Sequence, residues 1–307
     1  MPDTPAVSSH AIPEPAHSAP MAQARPLARA LATLWRDRAA RVALLFLGAL
    51  ALAALLAPLI SPHAPEATLG INTLNSVPPS RAHWMGTDPA SRDVLSRMLH
   101  GARISLAIAL LSALLASGVG LVYGGVAGYV GGVMDGIMMR TIDALLSIPR
   151  ILMLITVLAL WGQVDVASLV VLLGLTGWFG VSRIARAAAL AASAREYVTA
   201  AHALGARRSR TFVRHVFPHL TGPVLVAATI SVGQVILLEA GLSYLGYGVP
   251  QPNPTWGNII RDGRETMSTA WWLTFFPGIA LISTALAVNT LADRLRTALN
   301  PRQLDAP

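Results

Sequence analysis

Long apolar runs separated by short, arginine-bearing polar stretches set the period of the chain. Six runs stand out, roughly residues 41–60, 101–129, 141–161, 165–182, 221–245 and 271–292. Each has about the length that an α-helix, rising 1.5 Å per residue, needs to cross a hydrocarbon core of about 30 Å. Backbone groups inside lipid must bond to one another, and a helix achieves this within a single segment. The pattern therefore predicts an all-α integral membrane protein of six transmembrane helices.

Two polar stretches carry a finer periodicity. In EYVTAAHALGARRSRTFVRHVFPH, residues 196–219, the positions Tyr197, Ala200, Ala201 and Leu204 form one apolar stripe at helical spacing. Gly205 then supplies a left-handed turn. A second helix follows with Phe212, Val213, Val216 and Phe217 on one side, and Pro218 is expected to stop it. Ser193 and Glu196 also have the spacing of a capping box. The second stretch, GTDPASRDVLSRMLHGARISL from Gly86 to Leu106, offers Asp88 as N-cap and Pro89 as first helical residue. Its Val94, Leu95, Met98 and Leu99 share a face, and Asp93 with Arg97 has i,i+4 ion-pair spacing, which predicts a short amphipathic elbow leading into the second span.

Charge orients these elements. All 23 basic residues are arginine. They crowd before the first span (Arg25, Arg29, Arg36, Arg38, Arg41) and between the fourth and fifth (Arg183, Arg186, Arg195, Arg207, Arg208, Arg210, Arg214). Arg140, Arg294, Arg296 and Arg302 fall on the same side, so both termini and the 196–219 hairpin are expected to be cytoplasmic. The other side holds Arg81, Arg92, Arg97, Arg103, Arg261 and Arg264, balanced by acids. Sorting of this kind is a topology signal and leaves no reason to invoke nucleic acid.

Composition narrows the function. With 54% hydrophobic and 12% charged residues, the chain is too apolar for an ordinary soluble domain. Without lysine it cannot supply a P-loop lysine to hold nucleotide phosphates, or a Schiff base. Cysteine is absent, which removes disulfides and thiol chemistry. The eight histidines have no metal-ligand spacing in sequence and read as polar surface. Residues 1 to about 30, rich in Pro, Ala and Ser, read as a disordered tail.

Within the spans, Gly120, Gly124, Gly128 and Gly132 make a four-residue ladder suited to close helix packing. Trp271 and Trp272 read as interfacial anchors, and Pro277 as a kink in the last helix. Glu239 is an acid inside an apolar run: it either bonds to neighbours such as Ser243 near the outer end of the fifth span, or lines a path. Arg150 in the third span is expected to snorkel to the inner headgroups. These spans hold no nucleophile–base pair and no metal-ligand set, so catalysis is not expected.

The hairpin motif, with Glu196, Ala200, Ala201 and Gly205, resembles the EAA loop of ABC-importer permeases. The Gly86–Leu106 string, with Gly86, Thr87, Asp88, Arg92, Asp93, Ser96, Arg97, Gly101 and Arg103 in register, is similar to the signature of the C-type subunit of dipeptide and oligopeptide importers, with Ser91 where glycine is usual. The runs GYVGGVMDGIMMRTIDALLSIP and EAGLSYLGYGVPQPNPTWG and the final span extend the resemblance over roughly residues 35–302. His219, Arg294 and Asn300 depart from the usual residues.

This resemblance implies a type I ABC permease bundle in a bacterial cytoplasmic (inner) membrane. Its expected layout is a tail over 1–35, a first helix plus extracytoplasmic segment over 36–98, a permease domain over 99–293 with coupling loop 190–219, and a tail over 294–307. Implied partners are a homologous second permease subunit, two cytoplasmic ATP-binding subunits, an extracytoplasmic solute-binding protein and the lipid bilayer. ATP and magnesium would reside in the ATPases, and this chain would bind no cofactor. Glu196, Ala200, Ala201, Gly205, Arg207 and Arg208 would couple to the ATPases, while Glu239 and Ser243 would be candidates for the translocation path. Di- or oligopeptides are the expected cargo; nickel, glutathione or another small solute on the same architecture is the alternative. A gradient-driven secondary transporter using Glu239 as an ion site is a more distant one.

Overall fold

Every apolar run is helical in the computed structural model, which describes residues 32–70, 74–162 and 164–299. The expected disordered tail falls almost wholly outside these residues. Residues 32–36 are already helical, and Leu34 packs with Ala40 and Leu295, so the helical region begins before residue 36. Asp37 caps α1 (Arg38–Leu55) by accepting the Ala40 amide at 2.9 Å, and a short α2 (Ala57–Ile60) follows.

Three long helices form the heart of the bundle: α3 (Val94–Val130), α6 (Val166–Ser193) and the helix that ends as α9 (Phe217–Tyr244). The last helix, α11 (Trp272–Leu299), packs on α9 and on α1. Asp165 caps α6, and its bonds from the Ser168 hydroxyl and amide hold its carboxyl below the usual aspartate range. The close pairing of α3 and α6 explains the glycine ladder. Gly120, Gly124 and Gly128 face Val181, Ser182 and Arg186 with no room for a Cβ, whereas Gly132 lies beyond the helix at φ +58° and touches nothing.

The third span departs from expectation. It is not one helix over 141–161 but two, α4 (Gly132–Leu146) and α5 (Arg150–Trp161), bent by 75°. Pro149 offers no amide and restricts Ile148 before it, so the helix cannot run through. Five helices among the described residues are thus long and apolar enough to cross a membrane, and the bent pair makes a sixth. Arg150 does not snorkel: its Nη2 donates to the Leu173 carbonyl at 2.8 Å and its Nε to Thr176 Oγ1 at 3.2 Å, which pins the bend to α6.

Most of the apolar core lies in one half of the bundle, around Ile108, Leu173, Ile236, Trp256 and Trp272. Trp272 is therefore no interfacial anchor. It is buried and donates to the Thr87 carbonyl at 3.0 Å, whereas Trp271 is half-exposed.

Candidate functional site

The two polar stretches of the sequence occupy opposite ends of the bundle. One is a buried clamp of charges; the other is an exposed hairpin.

At the clamp end the expected elbow is absent. Asp88 is not an N-cap; α3 starts at Val94 and runs unbroken, capped by Asp93, whose Oδ2 accepts the Ser96 amide and hydroxyl, each at 2.9 Å. Asp88 instead folds a tight turn, accepting the amides of Ala90 and Arg92 on Oδ1, and binds both Arg92 and Arg97 on Oδ2. The expected Asp93–Arg97 pair does not form. Arg97 is drawn to Asp88 and to Asp262 at 2.8 Å, while Arg92 reaches Asp262 and Gln251, each at 3.0 Å.

This network joins the loop before α3 to α10 (Trp256–Asp262), which the chain reaches after α9. Its centre is buried, with the Arg97 side chain 2% exposed and Asp88 fully buried, so these two charges depend on their partners for solvation. Thr87 ties the same loop back through Val77, whose amide it accepts at 2.9 Å. A Cβ at Gly101 would meet Thr255 and Trp256 at ordinary contact distances, so the packing of α3 there does not depend on glycine. Arg103 points outward and is exposed. Ser91 sits at φ +59°, which explains why glycine suits this position, and its hydroxyl donates to Asn75. Ser91→Gly relieves about 1 kcal/mol of left-handed strain but loses a bond of similar worth. Its melting midpoint should therefore stay near the parent's, whereas Ser91→Val should lower it.

Glu239 lies just beneath the clamp and is completely buried. Its Oε1 accepts the Ser243 hydroxyl at 2.7 Å, and Ser105 lies 3.4 Å from Oε2. Ser105 also accepts the Trp256 amide at 3.2 Å. Glu239 and Ser243 thus join α9 to α3 and the start of α10, and Gly248 and Gly257 are required because a Cβ on either would strike Ser243.

At the hairpin end, α7 (Glu196–Ala203) is followed by Gly205 at φ +79°, then α8 (Arg208–Thr211). Pro218 does not stop the second helix. A π turn over Phe212–Val216 places the Phe217 amide on the Phe212 carbonyl, and the helix continues as α9. Widening the turn accommodates the proline that lacks an amide, a use to which π turns are suited. The capping box is also absent: α7 is capped by Arg195 without a side-chain bond, and the buried Ser193 hydroxyl has no partner.

Val198 is the buried residue of α7, against Ala189, Ala192, Val216 and Leu220, and His202 stacks on Tyr129. Tyr197 and Ala200 are exposed, Ala201 is partly so, and Leu204 is 89% exposed. Glu196, Arg207 and Arg208 are exposed around them. Tyr129, which sequence reasoning passed over, latches this hairpin to α3: its hydroxyl donates to the Arg208 carbonyl at 2.8 Å and its ring packs on Phe212. Below the hairpin, Arg186 grips Asp135 through two bonds and Arg183 pairs with Asp143, so α6 carries α4 with it.

A helical bundle of this length and apolarity, with a buried charge network at one end and a basic hairpin at the other, is a multi-pass membrane protein. The chain belongs to the family of binding-protein-dependent transport system inner membrane components, which matches residues 120–305. Residues 25–79 match the N-terminal transmembrane domain of oligopeptide transport permease C. The oligopeptide transport system permease protein OppC of Bacillus subtilis is 36% identical over 279 residues, covering 88% of this chain and 90% of that protein. A candidate peptide transport system permease protein of Brucella abortus biovar 1 is 38% identical over 269 residues, 88% of this chain and 90% of the relative. A candidate peptide permease protein of Brucella suis biovar 1 is 37% identical over 279 residues, 90% of this chain and 91% of the relative.

Proposed function

We propose that this chain is one of two membrane subunits of an ATP-driven peptide importer, with the hairpin end and both termini in the cytoplasm. The observation that carries the proposal is the α7 surface: Tyr197, Ala200, Ala201 and Leu204 form a largely exposed apolar stripe ringed by arginines at the tip of a lever. An isolated helix of eight residues is not stable on its own, so its shape must be imposed by Val198, Tyr129 and the Gly205 turn. Such a rigid, exposed knob suits a socket on a nucleotide-hydrolysing partner.

On this reading ATP and magnesium stay with two ATPase subunits, and a homologous permease subunit completes the pore. A solute-binding protein delivers cargo at the clamp end. Closure of the ATPases pushes the hairpin, and the stiff α6 and α9 carry the motion to the opposite side. Names of the relatives support peptides as cargo. Burial of Glu239 among hydroxyls supports its role as a tie between helices and weighs against a hydrated ion site.

Gly205→Val is the direct test of the lever. No atom lies within 4 Å of a Cβ at this position, so the substitution changes only backbone preference, by about 1–2 kcal/mol against the left-handed turn. Peptide-stimulated ATPase activity of the reconstituted complex should fall about tenfold, as a 1.4 kcal/mol shift implies, while the isolated subunit still folds with at most a small drop in its melting midpoint. Full stimulation would remove the lever from the mechanism. Glu196→Ala, at an exposed site with no cap, should alter subunit stability by no more than about 0.5 kcal/mol. Loss of ATPase co-purification in that variant would mark Glu196 as a docking contact.

A further inference from the structure

We infer that His63, His83 and Asp93 form a binding site for one divalent transition-metal ion of the zinc class at the clamp end. Far apart in sequence, the three residues are brought together by the fold. Each offers a ligand atom, and these atoms lie within 4.8 Å of one another. His83 Nδ1 is 3.1 Å from Asp93 Oδ1, and the rings of His63 and His83 are 5.8 Å apart at 38°.

The pocket that holds them is built. His83 and Asp93 are buried, and Asp93 is aimed by its other oxygen, which is fixed by the Ser96 amide and hydroxyl. Ser96 Oγ in turn accepts the His63 amide at 3.2 Å, which sets the position of that backbone. The one group this arrangement leaves unexplained is His63 Nδ1, a buried nitrogen with no hydrogen-bond partner. Leaving such an atom unpaired costs free energy, and a metal ion supplies the missing partner.

Donor chemistry selects the ion. Two imidazoles and one carboxylate suit zinc and its first-row neighbours, whereas calcium and magnesium prefer all-oxygen shells. Ideal tetrahedral ligands around zinc sit about 3.3 Å apart, so a modest rotation of the His63 ring closes the site, with water as fourth ligand. Guanidinium repulsion is held in check because Arg92 and Arg97 are committed to Asp88 and Asp262. The ion would connect three segments: the chain leaving α2, the loop before α3, and the N-cap of α3. It would thereby fasten the first transmembrane helix, which packs on the bundle mainly through α11 and α3, to the clamp.

The test uses the full-length chain in detergent, purified through a histidine-free tag, stripped with a chelator and titrated with Zn²⁺. One ion per chain should survive gel filtration and raise the melting midpoint. His63→Gln and Asp93→Asn, the second chosen because asparagine also caps helices, should both lose the bound ion and the thermal shift. Their metal-free midpoints should match the metal-free parent, and His215→Ala should behave as the parent. With Co²⁺ in place of Zn²⁺, the parent alone should show the absorption bands of a four-coordinate ion. Retention of a full equivalent and of the thermal shift by His63→Gln would overturn the proposal. So would several weak equivalents common to all variants, which would be adventitious binding only.

Discussion

Gly124→Leu should abolish most of the folded protein, while Gly118→Leu, six residues earlier on the same helix, should fold normally. A Cβ at Gly124 would stand 1.9 Å from the Ser182 carbonyl oxygen and 2.7 Å from its carbon, and main chain cannot step aside as a side chain can. A Cβ at Gly120 would stand 2.7 Å from Val181 Cβ and one at Gly128 2.5 Å from the Arg186 oxygen on the same partner helix, so separating α3 from α6 at one rung lifts the neighbouring rungs too. Overpacking of a tight site costs about 1–3 kcal/mol and more where the backbone must move; about 3 kcal/mol or more is expected here. Gly118 has nothing within 4 Å, and leucine gains about 1 kcal/mol of helix preference over glycine there. Folded yield by gel filtration and the melting midpoint in detergent would decide the matter. A Gly124→Leu protein that melts like its parent would show that the helices are not held by this ladder.

That ladder was legible in the sequence because a helix projects residues four apart onto one face, and only the fourth rung, Gly132, was misplaced. The spans were legible for the same reason, since apolar length is a local property. What sequence missed was set by distant partners. Arg97 has an acid four residues before it, yet it turns to Asp88 and to Asp262, because those carboxylates satisfy two buried arginines at once. Asp93, released from Arg97, caps α3 and meets His83. The histidines looked scattered because no short spacing relates residues 63, 83 and 93. Pro218 looked like a helix end because the local rule is strong, but packing of Val216 and Leu220 against α6 and α7 outweighed it and the π turn absorbed the mismatch. Hairpin residues were found by motif, whereas Tyr129, lying at the end of an apolar run, gave no signal of its own.

Asp88→Ala should be the most damaging single change at the clamp end. The substitution removes a carboxylate that neutralises two guanidiniums, leaving Arg92 and Arg97 to share Asp262, whose side chain is 18% exposed, against none for Asp88. Breaking a buried ion pair by deleting one partner costs about 3–5 kcal/mol, because the surviving charge keeps its desolvation penalty without its attraction. The turn that Asp88 holds through the Ala90 and Arg92 amides opens as well. Asp88→Asn keeps much of that turn but not the charge, so it should fall between Asp88→Ala and the parent. Arg97→Met tests the electrostatic argument from the other side. If desolvated charge is the source of the loss, the double variant Asp88→Asn with Arg97→Met should be more stable than the sum of its single changes implies, with a coupling of about 1–3 kcal/mol. Additive single effects in thermal unfolding would show that the turn geometry, and not the charge, is what Asp88 provides. Trp272 donates to the Thr87 carbonyl beside this turn, so its fluorescence should report loosening of the clamp before the bundle itself melts.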